Sequence, residues 1–188
     1  MPPKQRFNKT TILETALKIT RESGFEAVNA RSLAAGLNCS TAPVYSYYAN
    51  MDDLKTELYD YAVDQFMDTL CSQKDMPDFL ERVCQTIIHT ASQDSNMFRF
   101  IYLSQNSYEE GLYDFLMKHE AHRLILARLR ADHNFSFEQG CDVFYKIWFL
   151  VFGISALLSA NKIDTPEEEI LTLVREAIHS IVWDAKHI

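Results

Sequence analysis

Apolar residues recur at spacings of three and four along most of this chain, and no segment sustains the alternation of a half-buried strand. The pattern predicts an all-α fold. Within residues 29–54 it predicts two short helices joined by a tight turn. Asn29 is positioned to cap the first, whose Leu33, Ala34 and Leu37 share an inward face, and Asn38 supplies a residue that tolerates the left-handed conformation of the turn. Ser40 then starts the second helix, with Pro43 at its third position. There it forfeits only an amide that lacks an intrahelical partner anyway, so the cap is expected to use the amide of Ala42. Val44 and Tyr48, four apart, fall on the packed side. Thr41, Ala42, Tyr45 and Ser46 are left outward, at the end of a helix that suits a DNA major groove.

The remaining pattern is helical throughout. Asn50 is positioned to cap a helix that opens on Asp52 and Asp53 and continues through Leu54, Leu58, Tyr61, Ala62 and Phe66. Pro77 opens a segment with Phe79, Leu80, Val83, Cys84, Ile87 and Ile88 on one face. Asp94 or Ser95 caps a shorter helix, and Gly111 lies near the start of a longer one that reaches Leu129. Residues 143–160 are apolar almost all round, with Gly153, Ala156 and Ala160 as a small-residue face where another helix can approach. Thr165, Pro166 and Glu168 combine an N-cap, a proline at the first helical position and a capping box. The helix they open carries a stripe of Ile170, Val174, Ala177, Ile178 and Ile181, more apolar surface than one small body needs.

Charge divides the chain unevenly. Up to Asn50 it carries a formal +3; the whole is −8, which leaves −11 for the remainder. That balance suits a protein that touches nucleic acid through a small head and keeps an acidic body away from it. The first residues lack the apolar run of a secretory signal, and the longest uncharged stretch, Ile147 to Asn161, falls short of the roughly 20 residues of a membrane span. A cytoplasmic protein with no membrane partner is expected. Four scattered cysteines without a CxxC pair suggest neither a zinc site nor a disulfide framework.

With Ile12, Leu13, Ala16, Leu17, Gly24 and Phe25 before it, the two-helix segment resembles the N-terminal domain of TetR-type transcriptional regulators, as far as Leu58. Leu33-Ala34, Ser40, Tyr45, Tyr48 and Leu54 carry the resemblance. It implies a three-helix helix-turn-helix DNA-binding domain over residues 1–50 and a larger helical bundle for effector binding and dimerisation over 51–188. The DNA-facing residues would be Asn29, Arg31, Ser40, Thr41, Ala42, Pro43, Tyr45, Ser46 and Tyr47. It further implies a homodimer on a palindromic double-stranded operator, acting as a repressor. The last two helices would form the dimer seam, through Gly153, Ala156, Ala160, Val174, Ile178 and Ile181. Three departures stand out: Asn38 where the family usually has Gly, Pro43 where it often has Thr, and Met51 where it has Lys. The last two remove groups that would donate to phosphates, which shifts that task to Lys4, Arg6, Lys9, Asn29 and Arg31.

The aromatic content of the body suggests a pocket for an apolar or amphipathic small-molecule effector, with Phe66, Phe98, Tyr102, Tyr113, Phe115, Phe144, Trp148 and Phe152 as candidate lining. His119 and His122 are i,i+3 neighbours, but no further ligand is tied to them by spacing, so neither metal nor cofactor is expected. No nucleophile-elbow, Walker or dinucleotide signature occurs, which argues against an enzyme. The alternative reading is a helical ligand-binding or protein-interaction module with weakened DNA affinity.

Overall fold

Three asparagines open the N-terminal helices. Asn8 caps α1 (Lys9–Ser23) by accepting from the Thr11 amide at 2.7 Å, and Asn50 caps α4 (Met51–Cys71) by accepting from the Asp53 amide at 2.9 Å. Asn29 opens α2 (Ala30–Gly36) with a reciprocal box: its side chain accepts from the amides of Arg31 and Ser32, while its own amide donates to the Ser32 hydroxyl at 3.0 Å. Each cap satisfies amides that the first helical turn leaves without carbonyl partners. A fourth asparagine ends a helix. Asn38 adopts φ 52°, and the amides of Asn38 and Cys39 return to the carbonyls of Ala35 and Ala34, closing α2 in a Schellman motif.

The computed structural model describes residues 8–104 and 111–187, and of Leu112, Phe115 and Leu116 it describes the backbone alone. Lys4 and Arg6 lie outside the described residues. Within them the protein is all-α, with a 3₁₀ turn at Phe25–Ala27 and no strand. After α1 and α2 come α3 (Ala42–Tyr47) and α4, then α5 (Phe79–Gln93), α6 (Ser95–Tyr102), α7 (Leu112–Lys118), α8 (Glu120–His133), α9 (Phe137–Ser159) and α10 (Glu167–His187).

Several helix starts differ from the sequence expectation. The second helix of the turn motif takes Thr41, not Ser40, as its N-cap residue, with no side-chain cap bond, so it begins at Ala42 and Pro43 sits at the second helical position instead of the third. Proline itself explains this, because its fixed φ and missing amide favour the outermost positions of a helix. The segment from Gly111 to Leu129 is two helices, since His119 is extended (φ −97°, ψ 140°) between α7 and α8. Pro77 precedes α5 by one residue, Asp78, which is left-handed. No side-chain bond from Thr165 opens α10 among the described residues. The Pro166 carbonyl instead accepts from the amides of Glu169 and Ile170, which shifts the helix start one residue on.

Buried residues form one continuous cluster from Ile12 to Ala185. In its C-terminal part α9 is the central member, packed against α5, α6, α8 and α10. By length and composition α9 is apolar enough to cross a membrane, and here its Val143, Phe144, Ile147, Trp148 and Val151 are buried within the protein. Its start is a Ser136–Gln139 capping box. Gly140 follows directly. A Cβ there would stand 2.7 Å from Cγ of Arg130 on α8, so only glycine permits this approach of the two helices.

Candidate functional site

The α2–turn–α3 unit divides its side chains sharply. Leu33, Ala34 and Leu37 of the first half and Val44 and Tyr48 of the second are buried, which anchors α3 from one side only. On the other side Ala42, Tyr45, Ser46 and Tyr47 are exposed, Tyr45 by 53% and Tyr47 by 46%, with Thr41 and Pro43 half-buried at the start of the helix. Asn29, Arg31 and Ser40 are also exposed. Two of these have structural duties. Asn29 spends its side-chain oxygen on the cap of α2, and Ser46 donates to the Pro43 carbonyl at 2.7 Å.

Among the described residues around this face, two lysines are engaged. Lys9 stands 2.6 Å from Glu57 and 5.2 Å from the centre of the Tyr48 ring, and Lys55 lies over the Phe25 ring. Burial, then the Glu57 carboxylate, push the Tyr48 phenol up to about 12, so this anchor stays neutral. Met51, the first residue of α4, is half-buried and packs against the core rather than reaching into solvent.

In the body, six of the expected aromatics meet. Tyr102 is the hub, with its ring 5.0 Å from Phe98, 5.8 Å from Phe66 and Trp148 and 6.3 Å from Phe152. Phe144 stacks on Trp148 at 5.9 Å. Tyr113 departs from expectation: it is 53% exposed and meets Phe137 edge-on, outside this cluster. The Phe115 side chain lies outside the described residues. The Tyr102 hydroxyl is buried without a hydrogen-bond partner among the described residues, and burial, with Tyr59 nearby, pushes its phenol far above the ordinary range. The rings largely fill one another's space. Beside them a void of about 20 Å³ is lined by Phe144, Trp148, Cys84 and aliphatic side chains, little more than the volume one water needs.

Helix α6 joins this cluster to the N-terminal helices. Phe98 and Tyr102 enter the aromatic cluster, while Phe100 stacks on Phe25 at 4.5 Å and Asn96 donates to the Arg21 carbonyl at 2.9 Å. Asp94, which caps no amide with its side chain, accepts instead from Arg21 Nε at 2.5 Å. Tyr59 of α4 donates to the Ile101 carbonyl. Besides α4, then, α6 also connects the two parts, a link hidden in sequence because its partners lie some 75 positions away.

The expected dimer seam separates into two sets. Gly153 and Ala160 are exposed and Ala156 and Ile181 half-buried, and a Cβ on Gly153 would meet nothing within 4 Å. Val174 and Ile178 are buried within the chain, so they close the core on α10 and do not lie on a free face. Phe149, Leu157, Leu173 and Trp183, on the same two helices but outside the expected set, are 53, 47, 54 and 60% accessible. Their helical spacing was visible; which side of each helix the core would claim was not. Among the described residues no group of histidine, cysteine and carboxylate side chains could hold a metal. Compared with known proteins, the chain matches no family model, no curated protein and no solved structure.

Proposed function

We propose that this protein is a homodimeric DNA-binding transcriptional regulator of TetR type, a repressor whose operator affinity is set by a small apolar or amphipathic effector bound in its C-terminal part. The observation that carries the reading is the outward display of Thr41, Ala42, Tyr45, Ser46 and Tyr47 on a short helix held from behind by Val44 and Tyr48. A major-groove reading helix needs that division. In this reading residues 1–50 form the DNA-binding domain and 51–188 the effector and dimerisation domain. The exposure of Phe149 and Leu157 on α9 and of Leu173 and Trp183 on α10 supports a second copy packed on these two helices. An effector acts only by favouring one spacing of the two heads, and α4 and α6 are the elements that carry the bias.

The test is binding to fragments of the protein's own upstream region, at low and moderate salt, beside scrambled fragments. A palindromic fragment bound far more tightly than its scrambled form is expected, with Tyr45→Ala and Thr41→Ala losing that preference. Equal affinity for both fragments would refute the regulator reading. A specific observation keeps a second reading, a ligand-binding or interaction module with weakened DNA affinity. Lys9 is committed to Glu57, and neither Pro43 nor Met51 supplies a phosphate donor. Met51→Lys distinguishes the two, because it should steepen the salt dependence of binding by about one phosphate contact if this helix end approaches DNA.

A further inference from the structure

From Thr41 to Tyr47 the chain reads Thr-Ala-Pro-Val-Tyr-Ser-Tyr, without an arginine, lysine, asparagine, glutamine or carboxylate. Val44 is buried. That leaves the methyl-bearing or apolar side chains of Thr41, Ala42 and Pro43 at the start of α3, followed by the exposed Tyr45, Ser46 and Tyr47. Of the small hydroxyls, that of Ser46 already donates to the Pro43 carbonyl, at 2.7 Å.

The side-chain amides flanking the unit are committed to its own backbone and caps. Asn29 accepts from the amides of Arg31 and Ser32, and its Nδ2 donates to the Ala27 carbonyl at 3.0 Å. Asn50 accepts from the Asp53 amide, and its Nδ2 donates to the Asp53 carboxylate at 3.1 Å. Asn38 is exposed, but in the turn and not on α3. Between Asn29 and Tyr48 the one cation is Arg31, at the second position of α2, and in a helix-turn-helix the first helix crosses the phosphate backbone. These residue types limit what α3 can distinguish. Guanine is read by the donors of Arg or Lys and adenine by the paired groups of Asn or Gln, while Ser and Thr hydroxyls bond either. Small apolar groups recognise one feature, the thymine C5 methyl, which no other unmodified base presents in the major groove.

We propose that α3 reads its operator through thymine methyl groups, with Thr41, Ala42 and Pro43 supplying the apolar contacts. This deepens the DNA-binding role proposed above, on which it rests, by giving the operator a chemical character. Each half-site presents thymine methyls where α3 enters the major groove, in place of guanines gripped by arginine. Pro43, which has no donor for a phosphate, has ring methylenes to set against a methyl group.

The test makes its changes first in the DNA, so the full, unaltered chain is the protein used. A site is selected from a random duplex library of about 30 base pairs, room for two half-sites a helical turn or more apart. In that duplex thymines are replaced by uracil, singly and then together, guanines by 7-deazaguanine and adenines by 7-deazaadenine, and dissociation constants are measured at one salt concentration. Uracil should weaken binding about fourfold for each contacted methyl, with the loss confined to one or two thymines of each half-site. Replacing all thymines should cost at least tenfold, and the deaza bases less than twofold. Thr41→Ser and Ala42→Gly, which remove only methyl groups, should shrink the uracil effect and leave affinity for the uracil duplex unchanged, with helicity checked by circular dichroism. A selected site indifferent to uracil, or weakened more by either deaza base, would overturn the thymine assignment while the regulator reading stands. Failure to enrich any sequence would remove both.

Discussion

The N-terminal helices and the body are specified by different kinds of residue. Asparagine side chains cap α1, α2 and α4, and another asparagine closes α2, whereas α5, α6, α7 and α8 begin without any side-chain cap bond. Except at the uncapped start of α3, the first region therefore fixes its helix ends through bonds spanning two to five residues. Outside α9, which has the Ser136–Gln139 box, the second relies on apolar faces meeting across the fold, where helix stability comes from burial more than from local signals. The difference extends to the candidate sites. On α3 the proposed reading residues stand outside the core, so recognition and stability can vary separately; in the body Phe66, Phe98, Phe144 and Trp148 are themselves core, so they cannot.

The largest expected effect falls in the body. Phe98→Ala, at a fully buried ring that touches Tyr102 and Phe152, should cost about 3–5 kcal/mol, read as a drop in the denaturation midpoint. A loss below 1 kcal/mol would mean that the cluster is loosely packed and already open to a ligand. Tyr102→Phe should move the other way. It removes a buried hydroxyl without a partner, and thermal unfolding should show a gain of about 1 kcal/mol. Destabilisation instead would reveal a bonded water or ligand on that oxygen.

In the N-terminal region the expected changes are smaller. Asn29→Ala should cost about 1 kcal/mol by leaving the Arg31 and Ser32 amides unpaired, measurable by urea unfolding, and Asn29→Gly only a few tenths. Equal losses in both variants would mean that the cap bond itself contributes little. Smallest of all, Tyr45→Ala should change stability by no more than about 0.5 kcal/mol while removing sequence-specific DNA binding. If it unfolds the protein, the separation of recognition from stability in this region is wrong.

The division between local and distant signals also decides what was legible. The caps at Asn29 and Asn50, the left-handed turn at Asn38 and the buried pair of Val44 and Tyr48 were all readable, because each depends on neighbours within a few positions. The same logic applies at Asn161, whose φ of 53° closes α9 as Asn38 closes α2, and at the Ser136–Gln139 box, though neither signal was used. The break at His119 was not signalled by proline or glycine. The cap of α3 falls at Thr41 instead of Ser40 because proline and a hydroxyl cap compete for the same turn.

By itself the sequence determined the all-α class, the order of the main helices and the two-faced character of α3, since periodicity and capping chemistry act along the chain. Only the tertiary structure decided that Val174 and Ile178 belong to the core while Leu173 and Trp183 remain outside, and that Tyr113 stands apart from the rings around Tyr102. A helical stripe wider than one contact can be covered from several directions. Which part is covered depends on where α5 and α9 lie against it, and that placement depends on the packing of the whole bundle.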